Sequence, residues 1–428
     1  MKKIRFNIIL AFFVFLLTIY VTGCEKKTVE KETVIRFFNP QSLSEEIKIM
    51  EEIVNEFEKD NPDIKVKVES GGTPDKLLVE IAGGMPPDVF LSWTDWGPMA
   101  AKNALLELDT YIKKYQLNLN DYFPSAIDFS KYKGKIYVFP VNLHIPVVFY
   151  NKDMFDKAGM PYPDWAWTWN EYYEIAVRLT DNAGKNGMRT QFGTQLGNSA
   201  YFWILQNKGN IFDIENKRIN IKSKEVQESL RFAYKLYKDA SPSLSEMKTF
   251  SGVGDVNPFM TGRIGMLVQS AAYVSIFSPT KDFHWDIAPL PIPPHGKRVN
   301  IISADYLGIP RGSRHPEEAF RFLKYYCGKK GMKVFASHKR FILPYRDMAY
   351  ETFVPPPENI KLLADIFNKP YIFDPLNQSG DERWIEMMTS FWNGWELILS
   401  GDISFNEGID KMENEMNRRL GRIFDSIK

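Results

Sequence analysis

Two tryptophans and an aspartate follow an apolar run at residues 87–93 (PDVFLSW), and their side chains suit a polyhydroxylated ligand. Trp93, Asp95 and Trp96 lie within four positions of one another. An aromatic ring covers the apolar C–H face of a sugar, and a carboxylate accepts hydrogen bonds from its hydroxyl groups. The alternative is that one of the tryptophans only packs between a helix and a sheet. Aromatic residues are plentiful, with 10 Trp, 20 Tyr and 31 Phe in the chain.

Motifs that would support catalysis are absent from the sequence. There is no GxxxxGK[ST] phosphate loop, no HExxH or CxxC metal pattern and no GxSxG nucleophile motif. The five histidines are scattered without metal-ligand spacing. We therefore expect a protein that is not an enzyme and that has no cofactor or metal ion. The histidines are His144, His284, His295, His315 and His338.

The first 23 residues have the pattern of a secretory signal peptide. Three basic residues within the first five precede an apolar run at residues 8–21, which is too short to predict a membrane span. Residues 21–24 (VTGC) resemble a bacterial lipobox, which implies acylation of Cys24, and residues 24–32 then form a charged tether. The alternative is an uncleaved anchor with an incidental cysteine. In both cases we expect a lipid anchor or an apolar segment to hold the globular part at the extracytoplasmic face of the cytoplasmic membrane.

Composition is that of an ordinary globular protein. Removing residues 1–23 leaves about 400 residues, enough for two lobes with separate cores. The chain has 54 Lys and Arg against 53 Asp and Glu, and the signal takes three of the bases. This balance gives no reason to expect binding to nucleic acid. If Cys24 is acylated, Cys327 has no partner for a disulfide, and its helical run EEAFRFLKYYC predicts a buried, inert thiol.

Hydrophobic periodicity predicts alternating strands and helices, and therefore an α/β protein with a mostly parallel sheet covered on both faces. Proline lacks the N–H that a central strand needs, so we expect the strand at residues 136–139 to stop at Pro140. Other predicted strands are residues 33–39, 64–69, 87–93, 147–150, 265–269, 285–291 and 302–310, and predicted helices are residues 46–60, 73–83, 224–239, 316–327 and 384–420.

Residues 133–180 contain GKIYVFP, VVFYNKDMFDKAG and TWNEYYEIAVRLT in that order. This order resembles the hinge segment of the extracellular solute-binding proteins that feed carbohydrate ABC importers. Further matches are FMTGRIGM at residues 259–266, ISADYLGIP ending at residue 310 and FILPYR at residues 341–346. The resemblance covers nearly all of residues 33–420.

The resemblance implies a two-lobed, type II periplasmic-binding-protein-like fold. Each lobe would be a mixed sheet flanked by helices, with the ligand cleft between the lobes. Because three chain crossings make both lobes discontinuous, we assign residues 33–142 and 301–345 to lobe one and residues 147–298 and 348–428 to lobe two. The cleft would close by hinge rotation near residues 143–147, 299–303 and 345–348.

The resemblance also implies candidate ligand contacts, each with packing as the alternative. The chain has Gln269-Ser270-Ala271 where relatives carry Gly-Asp/Asn-Trp, so Tyr273 is the candidate replacement for their stacking ring. Thr168 and Trp169 match a helix start in which Thr caps and Trp packs, so we interpret Trp169 as structural. The candidates are Asn39, Gln41, Trp93, Asp95, Trp96, His144, Trp203, Asp255, Gln269, Tyr273, Asp305, Arg346, Arg383 and Trp384.

A lipid-anchored monomer that captures a carbohydrate and delivers it to ABC permease subunits is the function that the resemblance implies. One alternative is a lipid-anchored glycoside hydrolase, which would need two carboxylates set across the scissile bond. The other is a binding protein for a solute that is not a sugar. A highly anionic ligand is disfavoured because no basic cluster falls among the candidate residues, although Arg346 and Arg383 leave it open.

Overall fold

The computed structural model describes most of the chain beyond the predicted tether. The predicted signal peptide, Cys24, Asp95 and Asp255 lie outside the described residues. Among the described helices, none combines the length and the apolar character needed to cross a membrane. The described residues are 32–41, 44–93, 96–181, 189–196, 200–213, 216, 218–250, 258–339, 342–349, 357–359, 362–363, 366, 371–373 and 383–425.

Strands and helices alternate through the described residues, as the periodicity predicts. The strands are β1 (Thr33–Asn39), β2 (Ile64–Ser70), β3 (Val89–Ser92), β4 (Lys131–Tyr132), β5 (Lys135–Ile136), β6 (Val138–His144), β7 (Pro146–Asn151), β8 (Phe192–Gln195), β9 (Phe212–Asp213), β10 (Arg218–Ile219), β11 (Ile264–Ser270), β12 (Trp285–Ala288), β13 (Asn300–Gly308) and β14 (Tyr371–Phe373). The helices are α1 (Ser44–Asp60), α2 (Pro74–Ala82), α3 (Trp96–Ala101), α4 (Asp109–Lys114), α5 (Pro124–Asp128), α6 (Lys152–Ala158), α7 (Trp169–Leu179), α8 (Ala200–Gln206), α9 (Lys224–Ala240), α10 (Leu244–Phe250), α11 (Val274–Phe277), α12 (Pro316–Cys327), α13 (Lys329–Ser337), α14 (Arg383–Ser400) and α15 (Phe405–Asp425).

Two mixed sheets define two lobes. In lobe one the order is β14-β13-β3-β1-β2, with β6 also paired to β13. Strands β1, β2 and β3 are parallel, whereas β13 runs antiparallel to β3 and β6. In lobe two the order is β12-β7-β11-β8, with β7 antiparallel to both neighbours and β8 parallel to β11. The predicted fold class, a mixed sheet with helices in each lobe, is confirmed.

Side-chain caps set where several helices begin. Thr73 accepts a hydrogen bond from the first turn of α2, and Asn151 does the same for α6 directly after strand β7. Thr168 and Glu171 form a reciprocal capping box at the start of α7. Each cap satisfies N–H groups that have no partner within the helix, so the helix starts at that residue rather than fraying.

Aromatic side chains fill both cores. In lobe one Phe322 of α12 lies edge-on to Phe37 of β1 and Phe57 of α1, with ring centroids 5.3 and 5.1 Å apart. In lobe two Trp169 stacks on Phe232 at 4.4 Å and donates from Nε1 to Gln206 Oε1 at 2.9 Å. The structural interpretation of Trp169 agrees with this packing. Burial raises the pKa of the Cys327 thiol, as expected for an inert cysteine.

Strand β6 corrects the predicted end at Pro140. The strand continues to His144, and its ladder with β13 shifts register between Asp305 and Tyr306, opposite Asn142 and Pro140. A β-bulge tolerates a residue without an N–H donor, so the proline is accommodated inside the strand. The strand therefore extends into the crossing, and only Ile145 separates β6 from β7.

Replacing Trp169 by Ala should lower the free energy of unfolding by about 3–5 kcal/mol, because a buried aromatic leaves a cavity and an unpaired Gln206 oxygen. Trp165→Ala is the matched control, since Trp165 belongs to the same tryptophan-rich turn but is 37% exposed. Trp165→Ala should lower the free energy of unfolding by about 1 kcal/mol or less. Denaturant unfolding of both variants measures this. Equal losses would contradict the core assignment of Trp169.

Candidate functional site

The carboxyl ends of strands from both sheets meet at the crossing between the lobes. Ser92, at the end of β3, pairs with Tyr306, next to Asp305. Ser270, at the end of β11, pairs with Pro146, the first residue of β7. Since β6 ends at His144, two positions before that proline, these strand ends converge at one place. We call the space between the two strand-end edges the cleft. Ligands of α/β proteins bind at such edges because the loops there present polar groups.

A chain of hydrogen bonds crosses the hinge of the cleft. Asp305 Oδ2 accepts from Asn142 Nδ2 at 2.8 Å, and Asp305 Oδ1 lies 3.0 Å from His144 Nε2. On the other side of the imidazole, His144 Nδ1 lies 3.3 Å from Ser270 Oγ. Asn142, His144 and Asp305 belong to the lobe-one sheet, whereas Ser270 belongs to lobe two. We call these four residues the hinge relay, and it connects the lobes directly.

Electrostatics favour a charged imidazole in the hinge relay. Burial disfavours the charged form, but the Asp305 carboxylate outweighs it and raises the pKa of His144 above its ordinary value of 6.5. Glu46, in the first turn of α1, acts in the same direction. Asp305 is buried, whereas the His144 side chain remains 28% exposed. His144 is therefore the member of the pair that a ligand can reach.

The lobe-one edge carries both an exposed and a buried tryptophan. Trp93 follows β3 and is 40% exposed, so one surface of its indole is available. Trp96 is buried against Tyr306, with ring centroids 5.8 Å apart, and thus supports the strand that carries Asp305. Asn39 ends β1 and accepts from the Gln41 backbone N–H at 3.1 Å. Its Nδ2 has no hydrogen-bond partner among the described residues.

The lobe-two edge carries the other predicted contacts near the hinge. Gln269 and Ser270 close strand β11, and the Gln269 side chain accepts from the Ser270 backbone N–H at 2.8 Å. Tyr273 follows in a short 3-10 turn and lies against Phe277, with ring centroids 5.7 Å apart. All three polar residues are half-buried, so they border the cleft without closing it.

A tryptophan-lined pocket at the carboxyl end of β8, in lobe two, was not predicted. Gln195 ends β8 opposite Leu267, which lies three residues, or about 10 Å along strand β11, before Ser270. The pocket encloses about 410 Å³. Two tryptophans of α14, Trp392 and Trp395, line it together with Gln195, Tyr237, Ser241, Pro242, Leu244, Met247, Glu396 and Leu399.

Unused hydrogen-bonding groups lie in this pocket. Among the described residues, Gln195 Oε1 and Trp395 Nε1 are buried without a hydrogen-bond partner. Burying such groups costs free energy unless a ligand or water supplies the missing bond. The sequence carried one signal for the pocket, since Trp392 and Trp395 are three positions apart and therefore neighbours on one face of a helix. It did not indicate that this face lines a pocket rather than the core.

Two predicted residues lie away from the cleft surface, and the side chains of four others lie outside what the structure describes. Trp203 is only 2% exposed and lies edge-on to Trp169 at 5.3 Å, so it packs in the lobe-two core. Arg346 is exposed in a 3-10 turn, and the preceding Tyr345 donates to Asp121 of lobe one at 2.9 Å. Arg383 and Trp384 begin α14, but their side chains lie outside what the structure describes, as do Asp95 and Asp255 entirely.

A separate groove of about 540 Å³ lies on the outer face of lobe one. It includes Asp60 at the carboxyl end of α1, and the helical rise puts this residue about 21 Å from Glu46 in the first turn. Two of its cations are paired, Arg321 with Asp63 and Lys330 with Asp60. The groove is therefore distinct from the cleft and largely satisfied internally.

No group of three or more His, Cys, Asp or Glu side chains that could hold a metal ion occurs among the described residues. The hinge relay has a single carboxylate, and both of its oxygens are engaged in the pairs described above. Its members therefore offer fixed hydrogen bonds to a ligand rather than a free acid or base.

Similarity to known proteins extends over most of the chain. The model of the family "bacterial extracellular solute-binding protein" matches residues 41–333. An uncharacterized ABC transporter extracellular-binding protein of Pyrococcus horikoshii is 23% identical over 394 residues, which is 88% of this chain and 86% of that protein.

Two solved structures are similar over nearly their whole length. The ABC substrate-binding protein of Listeria monocytogenes in complex with cycloalternan has a TM-score of 0.78 and 28% identity, covering 91% of this chain and 99% of that one. The sugar-binding protein MalE of Xanthomonas citri has a TM-score of 0.73 and 21% identity, covering 92% and 99%. Because the family model spans more than half of the sequence and the two-lobed fold agrees with it, the chain belongs to the bacterial extracellular solute-binding proteins.

Proposed function

We propose that this solute-binding protein captures a carbohydrate in the cleft and delivers it to the permease subunits of an ABC importer. The observation that carries the proposal is the presence of aromatic side chains beside strand carboxyl ends in both lobes. Trp93 is exposed directly after β3 in lobe one, and Trp392 and Trp395 line the pocket at the carboxyl end of β8 in lobe two. The hinge relay supplies hydrogen-bonding groups between them. Apolar faces and hydroxyl rims of a sugar need this combination.

The charges near the hinge favour a neutral ligand. Asp305 and Glu46 both raise the pKa of His144, so two carboxylates lie close enough to act on one imidazole. A phosphorylated solute would meet this excess of negative charge at short range. The Listeria neighbour was solved with cycloalternan, which also favours an uncharged carbohydrate over other solutes.

The lobe boundaries expected from the sequence are part of the proposal. We place residues 33–142 and 301–345 in lobe one and residues 147–298 and 348–428 in lobe two, although β14 (Tyr371–Phe373), within the last of these ranges, pairs with β13 in the lobe-one sheet. Leu143 donates to Ile342 in the third crossing at 2.8 Å, and β6 pairs with β13 of the second crossing, so three crossings lie side by side. Hinge rotation would bend these connections together.

The proposed contacts combine predicted residues with those that the fold adds. Trp93, His144 and Ser270 are the central ones. Asp305 and Trp96 support them from behind, and Trp203 is assigned to the core. Candidates at the periphery are Asn39, Gln41, Gln269, Tyr273, Gln195, Trp392 and Trp395, while Asp95, Asp255, Arg346, Arg383 and Trp384 keep only the support of the sequence resemblance.

Binding without catalysis fits the carboxylates better than the hydrolase alternative. A glycoside hydrolase needs a carboxylic acid free to protonate the leaving group. Asp305 has both oxygens occupied and is buried behind His144. We therefore propose that the protein is not an enzyme. We also propose that it acts as a monomer and that acylated Cys24 holds it at the extracytoplasmic face of the cytoplasmic membrane.

A thermal-shift screen against mono-, di- and oligosaccharides that includes cycloalternan tests the proposed function. A ligand at about 100 times its dissociation constant should add about 2.7 kcal/mol to the free energy of unfolding. Sugar phosphates and amino acids serve as the contrasting panel. Stabilisation by a phosphorylated or non-sugar solute, with none by any neutral carbohydrate, would contradict the proposal. Incubation with the same oligosaccharides should yield no cleavage products.

Replacing Trp93 by Ala should weaken carbohydrate binding at least several-fold, because a stacking surface contributes about 1 kcal/mol beyond the area it buries. Tyr162→Ala is the matched control, since Tyr162 is also 40% exposed. It lies against Tyr150 at the end of β7 remote from the hinge. Isothermal titration of both variants with the screened sugar measures the change. Equal affinities in the two variants would show that Trp93 does not contact the ligand.

Cys24→Ala should leave the precursor unprocessed by the lipoprotein pathway. Metabolic labelling with a fatty acid should mark the wild-type protein and not the variant, because the thiol is the acylation site. Cys327→Ala is the control, since this buried thiol should not affect labelling. If the wild-type chain carries no label, the predicted lipid anchor is wrong.

A further inference from the structure

His144 is the member of the hinge relay that has a hydrogen-bond partner on each side of its ring, one in each lobe. Its Nε2 lies 3.0 Å from Asp305 Oδ1, and its Nδ1 lies 3.3 Å from Ser270 Oγ. An ionised carboxylate can only accept, so the Nε2 atom carries a hydrogen in either charge state. The charge of the imidazole is therefore decided at Nδ1, on the side of lobe two.

The state of Nδ1 determines what the Ser270 hydroxyl can offer to a ligand. Ser270 Oγ already accepts from the Ala272 backbone N–H at 3.3 Å. When His144 is charged, Nδ1–H donates to the second lone pair of Oγ, and the hydroxyl hydrogen is left to donate into the cleft. When His144 is neutral, the hydroxyl hydrogen is drawn to Nδ1. The same serine then offers a lone pair instead of a donor.

The charged groups around His144 all favour the imidazolium. Asp305 faces it from β13, and Glu46 faces it from the first turn of α1. Lobe two contributes the uncharged Ser270, and β6 contributes the uncharged Asn142, whose Nδ2 donates to Asp305 at 2.8 Å. Asn142 Oδ1 also accepts from the Asp305 backbone N–H at 3.2 Å, which fixes the carboxylate in place.

We propose that Asp305 is a positioning residue that keeps His144 as an imidazolium and thereby presents the Ser270 hydroxyl to the ligand as a hydrogen-bond donor, so that binding weakens as the pH rises. The site then selects a ligand with an oxygen that only accepts at this point, such as the ring or glycosidic oxygen of a sugar. This inference rests on the proposed function for its ligand, but the charge state of His144 can be measured in the ligand-free protein.

Titration of the ligand-free protein by histidine-resolved NMR tests the charge state, with the His144 signals assigned by their loss in His144→Gln. The wild-type protein should give a pKa of His144 above 6.5. In Asp305→Asn, which keeps the shape and removes the charge, the pKa should fall below the wild-type value. A wild-type value at or below 6.5, or an unchanged value in Asp305→Asn, would overturn the proposal. The wild-type measurement stands even if a variant fails to fold.

The dissociation constant of the screened carbohydrate, measured between about pH 5 and 9, tests the role of Ser270. It should rise with pH through the pKa of His144 in the wild-type protein, with the midpoint moved to lower pH in Asp305→Asn. Ser270→Ala should bind more weakly at low pH and lose this dependence, while His144 still titrates as in the wild type. His284→Gln, which removes an exposed histidine paired with Asp153, should leave the profile unchanged.

The two proposals fail in different ways. If His144 titrates as expected and no carbohydrate binds, the proposed function is wrong and the ligand role assigned to Ser270 falls with it. If a carbohydrate binds with a dissociation constant that is flat across this pH range, the ligand part of the relay is overturned and the proposed function stands.

Discussion

The pairing of β6 with β13 joins the strand that leaves lobe one to the strand that returns to it, and this ladder determines what the hinge can be. Leu143 lies opposite Ala304 in the ladder and donates to Ile342 of the third crossing at 2.8 Å on its other side. Backbone groups at the crossing are thus hydrogen-bonded within a sheet. Only Ile145 separates β6 from β7, so the chain changes sheets within one residue. A joint of this kind restricts relative motion of the lobes to bending about adjacent strands.

Because the hinge is also the floor of the cleft, polar side chains must be present there and must be paired. A buried carboxylate such as Asp305 is costly unless charged or polar partners compensate for lost hydration. Asn142 and His144 occupy its two oxygens, and the imidazole extends the network to Ser270 in lobe two. The arrangement that makes the buried charge tolerable therefore also connects the lobes and leaves one edge of His144 open to a ligand. The pairing of His144 with Asp305 also makes the free energy of unfolding depend on pH. A raised histidine pKa adds stability that is fully present below the unfolded-state pKa and is lost as the pH rises through the folded value.

Local patterns predicted the elements of the fold, and tertiary context decided the rest. The capping box at Thr168 and the helix at residues 316–327 were predictable because their signals lie within one turn of the chain. Pro140 was predicted to end a strand, but the bulge directly after it in β6 depends on the register with β13 and cannot be read from the sequence of β6 alone. Trp203 and Trp392 are both tryptophans within helices, so the sequence does not distinguish them. In the structure the first is enclosed by the lobe-two core and the second lines a pocket. His144 and Asp305 were each predicted as single contacts, and their pairing arises from strands about 160 residues apart in the chain.

A crystal structure of the protein with the carbohydrate that stabilises it most tests the central claim most directly. The account predicts ligand density in the cleft, with one sugar face against Trp93 and an acceptor oxygen within hydrogen-bonding distance of Ser270 Oγ or His144. It also predicts that the Asp305–His144 pair is retained in the complex. Density in the outer groove of lobe one, between Tyr115 and Tyr345, with an empty cleft would contradict it.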